Sequence, residues 1–282
     1  MRVPDGTRDL FHSERGCRVW SRVSSAGWLK QMLSGSGRQH PVPTVPPGLR
    51  VYAVGDVHGS LAALDALHDR IAEDMATADD RTCVVVYLGD YVDRGADSAG
   101  VLERLTAPAP AGWQRRFVLG NHEAELLGFL EAPDGHLAWL DYGGLETLAS
   151  YGVRLPRADG PQERARRFSA ALAERMPSAH RAFLRALEPR VELGDYLFVH
   201  AGVRPGRALH RQRLEDLLTI REPFLSSSAW HGKVVVHGHS MTAEPELLAN
   251  RIGLDTGAYA GGPLSCLVLD MAQRRILTTG PV

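Results

Sequence analysis

The sequence of 282 residues predicts an α/β fold, because short apolar runs alternate with segments of helical periodicity. Three apolar runs, at residues 51–54, 83–88 and 117–119, are each followed by glycine and then by aspartate or asparagine. Leucines at positions 61, 64 and 67 repeat at helical spacing after the first run, and apolar residues at 101, 102 and 105 do so after the second. This order of strand, turn and helix is typical of a sheet of parallel strands covered by helices.

The second half of the chain predicts a helical insertion followed by further strands. Residues 123–190 contain helix-period segments broken by glycines and prolines, and we interpret them as an insertion within one domain. Apolar runs return at residues 196–199, 234–236, 252–254 and 264–269, which favours a second sheet. The main domain is therefore predicted to span residues 49–282, with the insertion at about 123–190.

Residues 1–48 differ in composition from the rest and are predicted to form an N-terminal extension. The stretch from Ser34 to Pro47 is rich in serine, glycine and proline, which is typical of a linker. Before it, apolar residues between Val19 and Leu33 are compatible with a short amphipathic helix. Such a helix either packs on the main domain or meets a membrane surface or a partner.

Composition and charge argue against several classes of protein. A net charge of -1 argues against a general nucleic-acid binder, which usually carries a strong basic excess. Three scattered cysteines without a CxxC pair exclude a disulfide framework and a cysteine zinc site, so we expect a cytoplasmic protein. No apolar run reaches the roughly 20 residues of a transmembrane helix, and we expect no secretory signal. The sequence leaves the oligomeric state open.

Side chains that bind divalent metals follow the predicted strands. Because the carboxyl ends of neighbouring parallel strands meet at one edge of a sheet, we expect these side chains to lie close together. They combine carboxylate, imidazole and amide groups without thiolate, which favours Mn, Fe, Zn or Mg. A bridging carboxylate would hold two ions about 3.5–4 Å apart and let them activate a shared water. The candidates are Asp56, His58, Asp90, Asp93, Asn121, His122, His200 and His239.

Five motifs in this order give the sequence a specific resemblance. They are GDVHG at 55–59, GDYVDRG at 89–95, GNHE at 120–123, VHAG at 199–202 and HGHS at 237–240. One such motif is weak evidence, but five in register resemble the bacterial-type phosphoprotein phosphatase branch of the calcineurin-like metallophosphoesterases. The resemblance covers residues 49–270. It implies two mixed β-sheets packed as a sandwich flanked by helices, and a cofactor of two divalent metal ions. Manganese is the expected metal, with iron, zinc and magnesium as alternatives.

The resemblance implies the metal ligands residue by residue. Asp90 would bridge the two ions. In the last motif His239 is the expected ligand, because the family's ligand follows the glycine of a Gly-His pair. His237 is then expected to bind substrate beside it. The six implied ligands are Asp56, His58, Asp90, Asn121, His200 and His239.

The resemblance also implies a catalytic group. His122 resembles the family's general acid, which protonates the leaving oxygen, and Asp93 resembles the carboxylate that fixes its tautomer. Arg94 resembles a phosphate-binding arginine, since a guanidinium binds phosphate oxygens bidentately. Arg221 is interpreted either as the second such arginine or as a surface charge. The implied reaction is direct in-line attack by a hydroxide that bridges the two metals, without a phosphoenzyme.

The implied activity is metal-dependent phosphomonoester hydrolysis, most specifically of phosphoserine and phosphothreonine in proteins. The substrate is thus a phosphoprotein or a phosphorylated small molecule. One alternative is a dinucleoside polyphosphate hydrolase of the diadenosine tetraphosphate type. That branch shares the metal ligands. At the position of Asp93 it usually has alanine, and at the position of Glu123 it often has aspartate. An alternative of another class is a catalytically silent module that binds a phosphorylated ligand.

Two further segments are left with open interpretations. Residues 139–152 resemble a segment of the bacterial members, and we interpret them either as helix packing with a glycine break or as a wall of the substrate site. The loop between His239 and Asp255 is short, so the sequence offers no place for the tyrosine that shapes the site edge in eukaryotic members. Asp255 is expected to be structural.

Overall fold

The computed structural model describes residues 42–78, 81–154 and 160–280. Within these ranges, ten strands form two five-stranded mixed sheets. In chain order they are β1 (Leu49–Val54), β2 (Thr82–Tyr87), β3 (Trp113–Phe117), β4 (Val191–Leu193), β5 (Tyr196–Phe198), β6 (Val234–His237), β7 (Glu246–Leu247), β8 (Arg251–Gly253), β9 (Ser265–Asp270) and β10 (Gln273–Thr278). The predicted architecture of two mixed sheets with helices is confirmed.

The two sheets have related topologies. The first has the order β10-β9-β1-β2-β3, with β1, β2 and β3 parallel and β9 and β10 added as antiparallel strands. The second has the order β4-β5-β6-β8-β7, with β5, β6 and β8 parallel. Each sheet therefore brings the carboxyl ends of three parallel strands to one edge, where α/β proteins build their sites.

The sheets pack face to face around a shared apolar core. Val51 and Ala53 of β1 belong to the same buried cluster as Phe198 of β5 and Val236 of β6. The intervening Tyr52 of β1 belongs to a second cluster that includes the helices. Because both faces of β1 are covered, the strand is apolar throughout rather than alternating, as expected for a central parallel strand.

Seven α-helices flank the sheets in the described residues. They are α1 (Leu61–Met75), α2 (Ser98–Thr106), α3 (Asn121–Glu131), α4 (Gly144–Ser150), α5 (Pro161–Arg175), α6 (Ser178–Arg185) and α7 (Leu214–Thr219). Helices α1 to α6 share the apolar cluster on the outer face of the first sheet, and α7 covers the second sheet. A 3-10 helix at Leu137–Tyr142 links α3 to α4. None of the described helices combines the length and apolar character needed to cross a bilayer.

The third strand lies earlier than the apolar run at 117–119 predicts. β3 occupies Trp113–Phe117 and contains Gln114, Arg115 and Arg116. It pairs with β2 alone and forms the edge of the first sheet. An edge strand can carry charged side chains because one of its sides stays in contact with water.

Most of the predicted N-terminal extension, including its amphipathic helix, lies outside the described residues. Residues 42–48 are described, and they contact the main domain. Val45 is fully buried between the sheets, and its amide donates to the carbonyl of Met271 at 3.2 Å. The amide of Thr44 donates to the carboxylate of Asp195 at 2.9 Å. This stretch therefore packs beside both sheets.

Candidate metal centre

The expected metal ligands lie where parallel strands end. Asp56 follows β1 by two residues, Asp90 follows β2 by three, and Asn121 is the first residue of α3 after β3. His200 and His239 each follow a parallel strand of the second sheet, β5 and β6, by two residues. The two packed sheets thus bring five loops to one edge.

These loops hold most of the unusual backbone conformations in the described residues. Positive φ angles at non-glycine residues are rare and mark sites where the surrounding structure enforces them. Six non-glycine residues in the described ranges have a positive φ angle. One of them lies in the turn between β9 and β10, and the other five belong to the candidate site. They are His58 (43°), Asp90 (52°), Asp93 (72°), Arg94 (67°) and His239 (59°), with Met271 (53°) in the turn.

Asp90 stands at the centre of the site. Its carboxylate is almost fully buried, with Oδ2 3.4 Å from His58 Nε2 and Oδ1 3.3 Å from His200 Nε2. It belongs to two groups of potential ligand atoms, one with His58 and His122 and one with His200 and His239. In each group all atoms lie within 4.8 Å of one another. A carboxylate shared by two such groups has the geometry required to bridge two cations.

His200 is oriented to present a lone pair to the second group. Its Nδ1 lies 2.9 Å from the carbonyl of Leu88 and donates to it, so in the neutral tautomer Nε2 is unprotonated. Nε2 lies 2.9 Å from Asn121 Oδ1 and 3.2 Å from His239 Nδ1. Burial alone would lower the pKa of His200, but the Asp90 and Asp56 carboxylates raise it to about 10. The pocket therefore favours a positive charge, and metal binding would displace that proton.

Asp56 belongs to neither of these two groups. Two buried polar atoms of the expected ligands have no hydrogen-bond partner in the described residues: Asp56 Oδ1 and His58 Nε2. His58 Nδ1 donates to the carbonyl of Val92 at 2.8 Å, and Asp56 Oδ2 accepts from the amide of His239 at 2.9 Å. A side chain at Gly238 would collide with the Asp56 carboxylate, so this close approach requires glycine. Unsatisfied buried donors and acceptors are costly, and a bound cation would satisfy both atoms. With carboxylate, imidazole and amide oxygen present, the residues fit two divalent ions.

Asp93 and His122 form a buried pair beside the metal ligands. Asp93 is fully buried, and its Oδ2 lies 2.7 Å from His122 Nδ1. The same carboxylate accepts from Trp139 Nε1 at 2.8 Å and from Thr147 Oγ1 at 2.6 Å. The sequence alone left the role of residues 139–152 open. The structure shows that Trp139 and Thr147 of this segment fix Asp93, so the segment is part of the site.

Glu123 is a further site residue that the sequence left without a role. Its buried carboxylate accepts from the amides of Asp90 at 2.8 Å, Tyr91 at 2.7 Å and Gly120 at 3.1 Å. It therefore joins the loop after β2 to the start of α3. A glutamate at the third residue of a helix is the available signal, because that position reaches back to free amides.

The two predicted arginines lie at the rim. Arg94 is exposed, and its Nη2 lies 3.0 Å from His122 Nε2. Its guanidinium also lies 5.1 Å from the ring centroid of Tyr259, whose ring contacts His58 edge-on. Tyr259 is thus an aromatic residue at the site edge that the sequence did not reveal. Arg221 is exposed, and its guanidinium is 3.4 Å from the carbonyl of His239.

His237 does not join this group of residues. Its side chain is 1% exposed, and its ring packs edge-on against Phe224 at 5.1 Å. Burial lowers the pKa of His237 to about 4, so the imidazole stays neutral. The expected substrate-binding role of His237 would require this ring to become accessible, because in the structure it is buried against Phe224.

Comparison with known proteins places this architecture in a family. Residues 49–260 match the family described as calcineurin-like phosphoesterase. Serine/threonine-protein phosphatase 1 of Salmonella typhimurium is 30% identical over 223 residues, covering 76% of this chain and 89% of that protein. The symmetrical bis(5'-nucleosyl)-tetraphosphatase of Paracidovorax citrulli is 36% identical over 110 residues, covering 33% of this chain and 36% of that protein.

A solved structure supports the same fold. The cold-active protein-tyrosine phosphatase of a psychrophilic Shewanella species superposes with a TM-score of 0.52 at 18% identity, covering 85% of this chain and 86% of that one. The relatives' names include both protein phosphatases and nucleotide hydrolases, which agrees with the predicted resemblance at the level of the family. The chain therefore belongs to the calcineurin-like phosphoesterases and is a metal-dependent phosphoesterase.

Proposed function

We propose that this protein hydrolyses phosphomonoesters of serine and threonine in proteins, with two divalent metal ions, manganese first. The observation that carries the proposal is the buried pair of Asp93 and His122, with their side-chain atoms 2.7 Å apart. A serine or threonine alkoxide is a strongly basic leaving group and needs a proton as it departs. A nucleotide phosphate is a weakly basic leaving group and needs none. An imidazole held by a dedicated carboxylate therefore favours an alcohol as the leaving group.

The chain's own residues would hold the two ions. Asp56 and His58 would bind the first, Asp90 would bridge the two, and Asn121, His200 and His239 would complete the second. When bound, such ions polarise the phosphoryl oxygens and lower the pKa of a water molecule. The metal is expected to be Mn, with Fe, Zn or Mg as alternatives that share this preference for nitrogen and oxygen ligands.

Arg94 and Arg221 would bind the phosphate oxygens from the rim. In the structure, Arg94 donates to His122 Nε2, and because a guanidinium only donates, this nitrogen is then unprotonated. When Arg94 turns to a bound phosphate, His122 Nε2 is released to take up a proton. The Asp93 carboxylate accepts from Nδ1 and stabilises the resulting imidazolium. Substrate binding would thus prepare the proton donor.

The experiment compares two substrates on the protein reconstituted with Mn. A phosphoserine peptide and diadenosine tetraphosphate are hydrolysed side by side, and kcat/KM is measured for both. We expect a higher kcat/KM for the peptide by at least tenfold. We also expect that His122→Asn retains both metal ions but loses at least 100-fold in kcat on the peptide. His136→Asn, at a partly exposed histidine paired with Glu125, is the matched control.

Three results would contradict the proposal. Preferential cleavage of the dinucleotide would assign the enzyme to nucleotide hydrolysis, which the tetraphosphatase relative illustrates. Unchanged peptide turnover in His122→Asn would remove His122 as the proton donor. Activity on neither substrate, with metal bound, would favour the silent binding module.

A further inference from the structure

A cavity of about 550 Å³ opens beside the candidate phosphate site. Arg94 forms its inner edge, and the walls include the aromatic rings of Tyr142 and Tyr259 and the side chain of Leu145. Tyr142 is 66% exposed and Leu145 is 38% exposed, so both present apolar surface to the solvent at this cavity. Apart from Arg94, the residues that line this cavity, the Tyr142 pocket, have no part in the proposed reaction.

The backbone ties the Tyr142 pocket to the phosphate site. The amide of Arg94 donates to the carbonyl of Gly143 at 3.3 Å. Gly143 has φ of 109°, and an added Cβ would lie 2.5 Å from the Arg94 amide nitrogen. Only glycine allows both the conformation and this close approach. A group attached to a phosphate held by Arg94 would therefore lie beside the pocket.

The charge of the pocket is opposite to that of the phosphate site. Apart from Arg94, its charged lining residues are Asp141 and Glu146, both exposed. Neither carboxylate forms an ion pair or a hydrogen bond with a side chain in the described parts of the chain. The pocket thus combines aromatic and aliphatic surface with two unpaired negative charges.

We propose that the Tyr142 pocket binds a lysine or arginine side chain that flanks the phosphorylated residue of a protein substrate. This inference rests on the proposed function. The methylene groups of such a side chain would pack on Tyr142 and Leu145, and its cationic head would reach Asp141 and Glu146. An aromatic ring also attracts a cation to its face. Consecutive residues of an extended peptide are about 3.3 Å apart, so a residue within about three positions of the phosphate can fill the pocket.

The same charges select against the alternative substrate. A polyphosphate chain that continues from the phosphate site would bring further negative charge towards Asp141 and Glu146. Like charges brought together across a binding surface discriminate against the wrong ligand. The pocket therefore favours a basic peptide over a dinucleoside polyphosphate.

The test measures kcat/KM for phosphoserine peptides on the Mn-reconstituted full chain. Each peptide carries one arginine or one glutamate at a position from three before to three after the phosphoserine, in an otherwise neutral sequence. At one or two positions we expect arginine to exceed glutamate by about tenfold. The double variant Asp141→Asn/Glu146→Gln should reduce this ratio to twofold or less, and Asp141→Lys/Glu146→Lys should invert it. Glu174→Gln, an exposed carboxylate on α5, is the matched control and should leave the ratio unchanged.

N-acetyl-phosphoserine amide separates this inference from the proposed function, because it has the same leaving group but no flanking residue. Its kcat should be the same in the wild type and in the Asn/Gln double variant, which adds no positive charge beside the phosphate site. Peptide hydrolysis without any charge preference, or with a preference that persists in the Asn/Gln variant, would overturn the pocket's role alone. A third outcome is that the wild type hydrolyses no phosphoserine substrate but cleaves diadenosine tetraphosphate, and that Tyr142→Ala reduces this cleavage. This outcome would overturn both the pocket's role and the proposed function, and it would assign the pocket to a nucleobase.

Discussion

Replacing Thr147 with valine removes one hydroxyl group beside the Asp93 carboxylate and keeps the shape of the side chain. The hydroxyl donates to Asp93 Oδ1 at 2.6 Å and accepts from the Asp93 amide at 2.9 Å. After the replacement, the carboxylate keeps its contacts with Trp139 and His122, both through Oδ2. The amide of Asp93 keeps a second acceptor, Ser98 Oγ, at 2.9 Å. The variant therefore removes one support of Oδ1, together with the 3.0 Å contact between the hydroxyls of Thr147 and Ser98.

The expected magnitude follows from the charge of the acceptor. A hydrogen bond to a charged group contributes about 1.5–3 kcal/mol net, so we expect the free energy of unfolding to fall by about 2 kcal/mol. With Oδ1 released, the carboxylate can rotate and carry His122 with it. If about 1.4 kcal/mol of the loss reaches the transition state, kcat falls about tenfold.

The assay combines urea denaturation with steady-state kinetics on two substrates. On the phosphoserine peptide, Thr147→Val should lose about tenfold in kcat. On p-nitrophenyl phosphate the loss should stay within about twofold, because this leaving group departs without a proton. Thr147→Ser keeps the hydroxyl and should restore peptide turnover. Thr106→Val removes a hydroxyl that bonds only to backbone carbonyls of α2 and serves as the control.

Equal losses on the two substrates would refute the reasoning, because they would show that Thr147 acts on the fold or on metal binding and not through His122. Unchanged peptide turnover in a variant that is less stable by 2 kcal/mol would refute it as well. In that case the remaining bonds to Oδ2 would suffice to position the carboxylate.

Three further predictions concern separate parts of the chain. Asp90→Asn removes the carboxylate common to both ligand groups, so metal analysis should find both ions lost and turnover should fall below about 1%. Glu123→Gln turns a side-chain NH2 group towards backbone amides that need an acceptor. Urea denaturation should show that this variant lowers the free energy of unfolding by about 3 kcal/mol. The control Glu125→Gln, at the surface, should change the free energy of unfolding by less than about 0.5 kcal/mol. For Asp74, burial raises the pKa, but the bonds from Arg275 and Tyr52 and the charges of Arg275 and Arg50 together outweigh burial and hold the pKa below its usual value. The stability that this carboxylate contributes is therefore complete above about pH 5 and lost as the pH falls below about 4. Asp74→Asn should cost about 2 kcal/mol at pH 7 and progressively less in acid denaturation series.

The local motifs were sufficient to predict the ligand loops and most of the parallel strands that precede them, but not the strands β4, β7 and β10. A strand end, a glycine and a carboxylate are consecutive in the sequence, so Asp56 and Asp90 could be recognised from their neighbours. The order of the motifs then predicted the family, which the comparisons confirm. Ligand status and catalytic roles remain proposals that the metal analysis and kinetics described above will test.

Long-range contacts were not predictable in the same way. Trp139 and Thr147 reach Asp93 across 46 and 54 residues, and no local periodicity encodes such a meeting. Tyr259 comes to the rim because the loop after β8 turns back onto the first sheet, which its own sequence does not indicate. The burial of His237 depends likewise on packing, since Phe224 comes from a distant loop to cover it.

The left-handed residues of the site loops have a consequence for how the protein can change. Each costs roughly 1–2 kcal/mol relative to a relaxed backbone, so five of them together approach the net stability of about 5–15 kcal/mol that a whole domain has. Activity and thermal robustness are therefore opposed at these five positions. Glycine at Arg94 would relax the backbone and raise the melting temperature while removing a phosphate contact. Selection for thermal stability alone would therefore favour variants of this chain that are more stable and catalytically inactive.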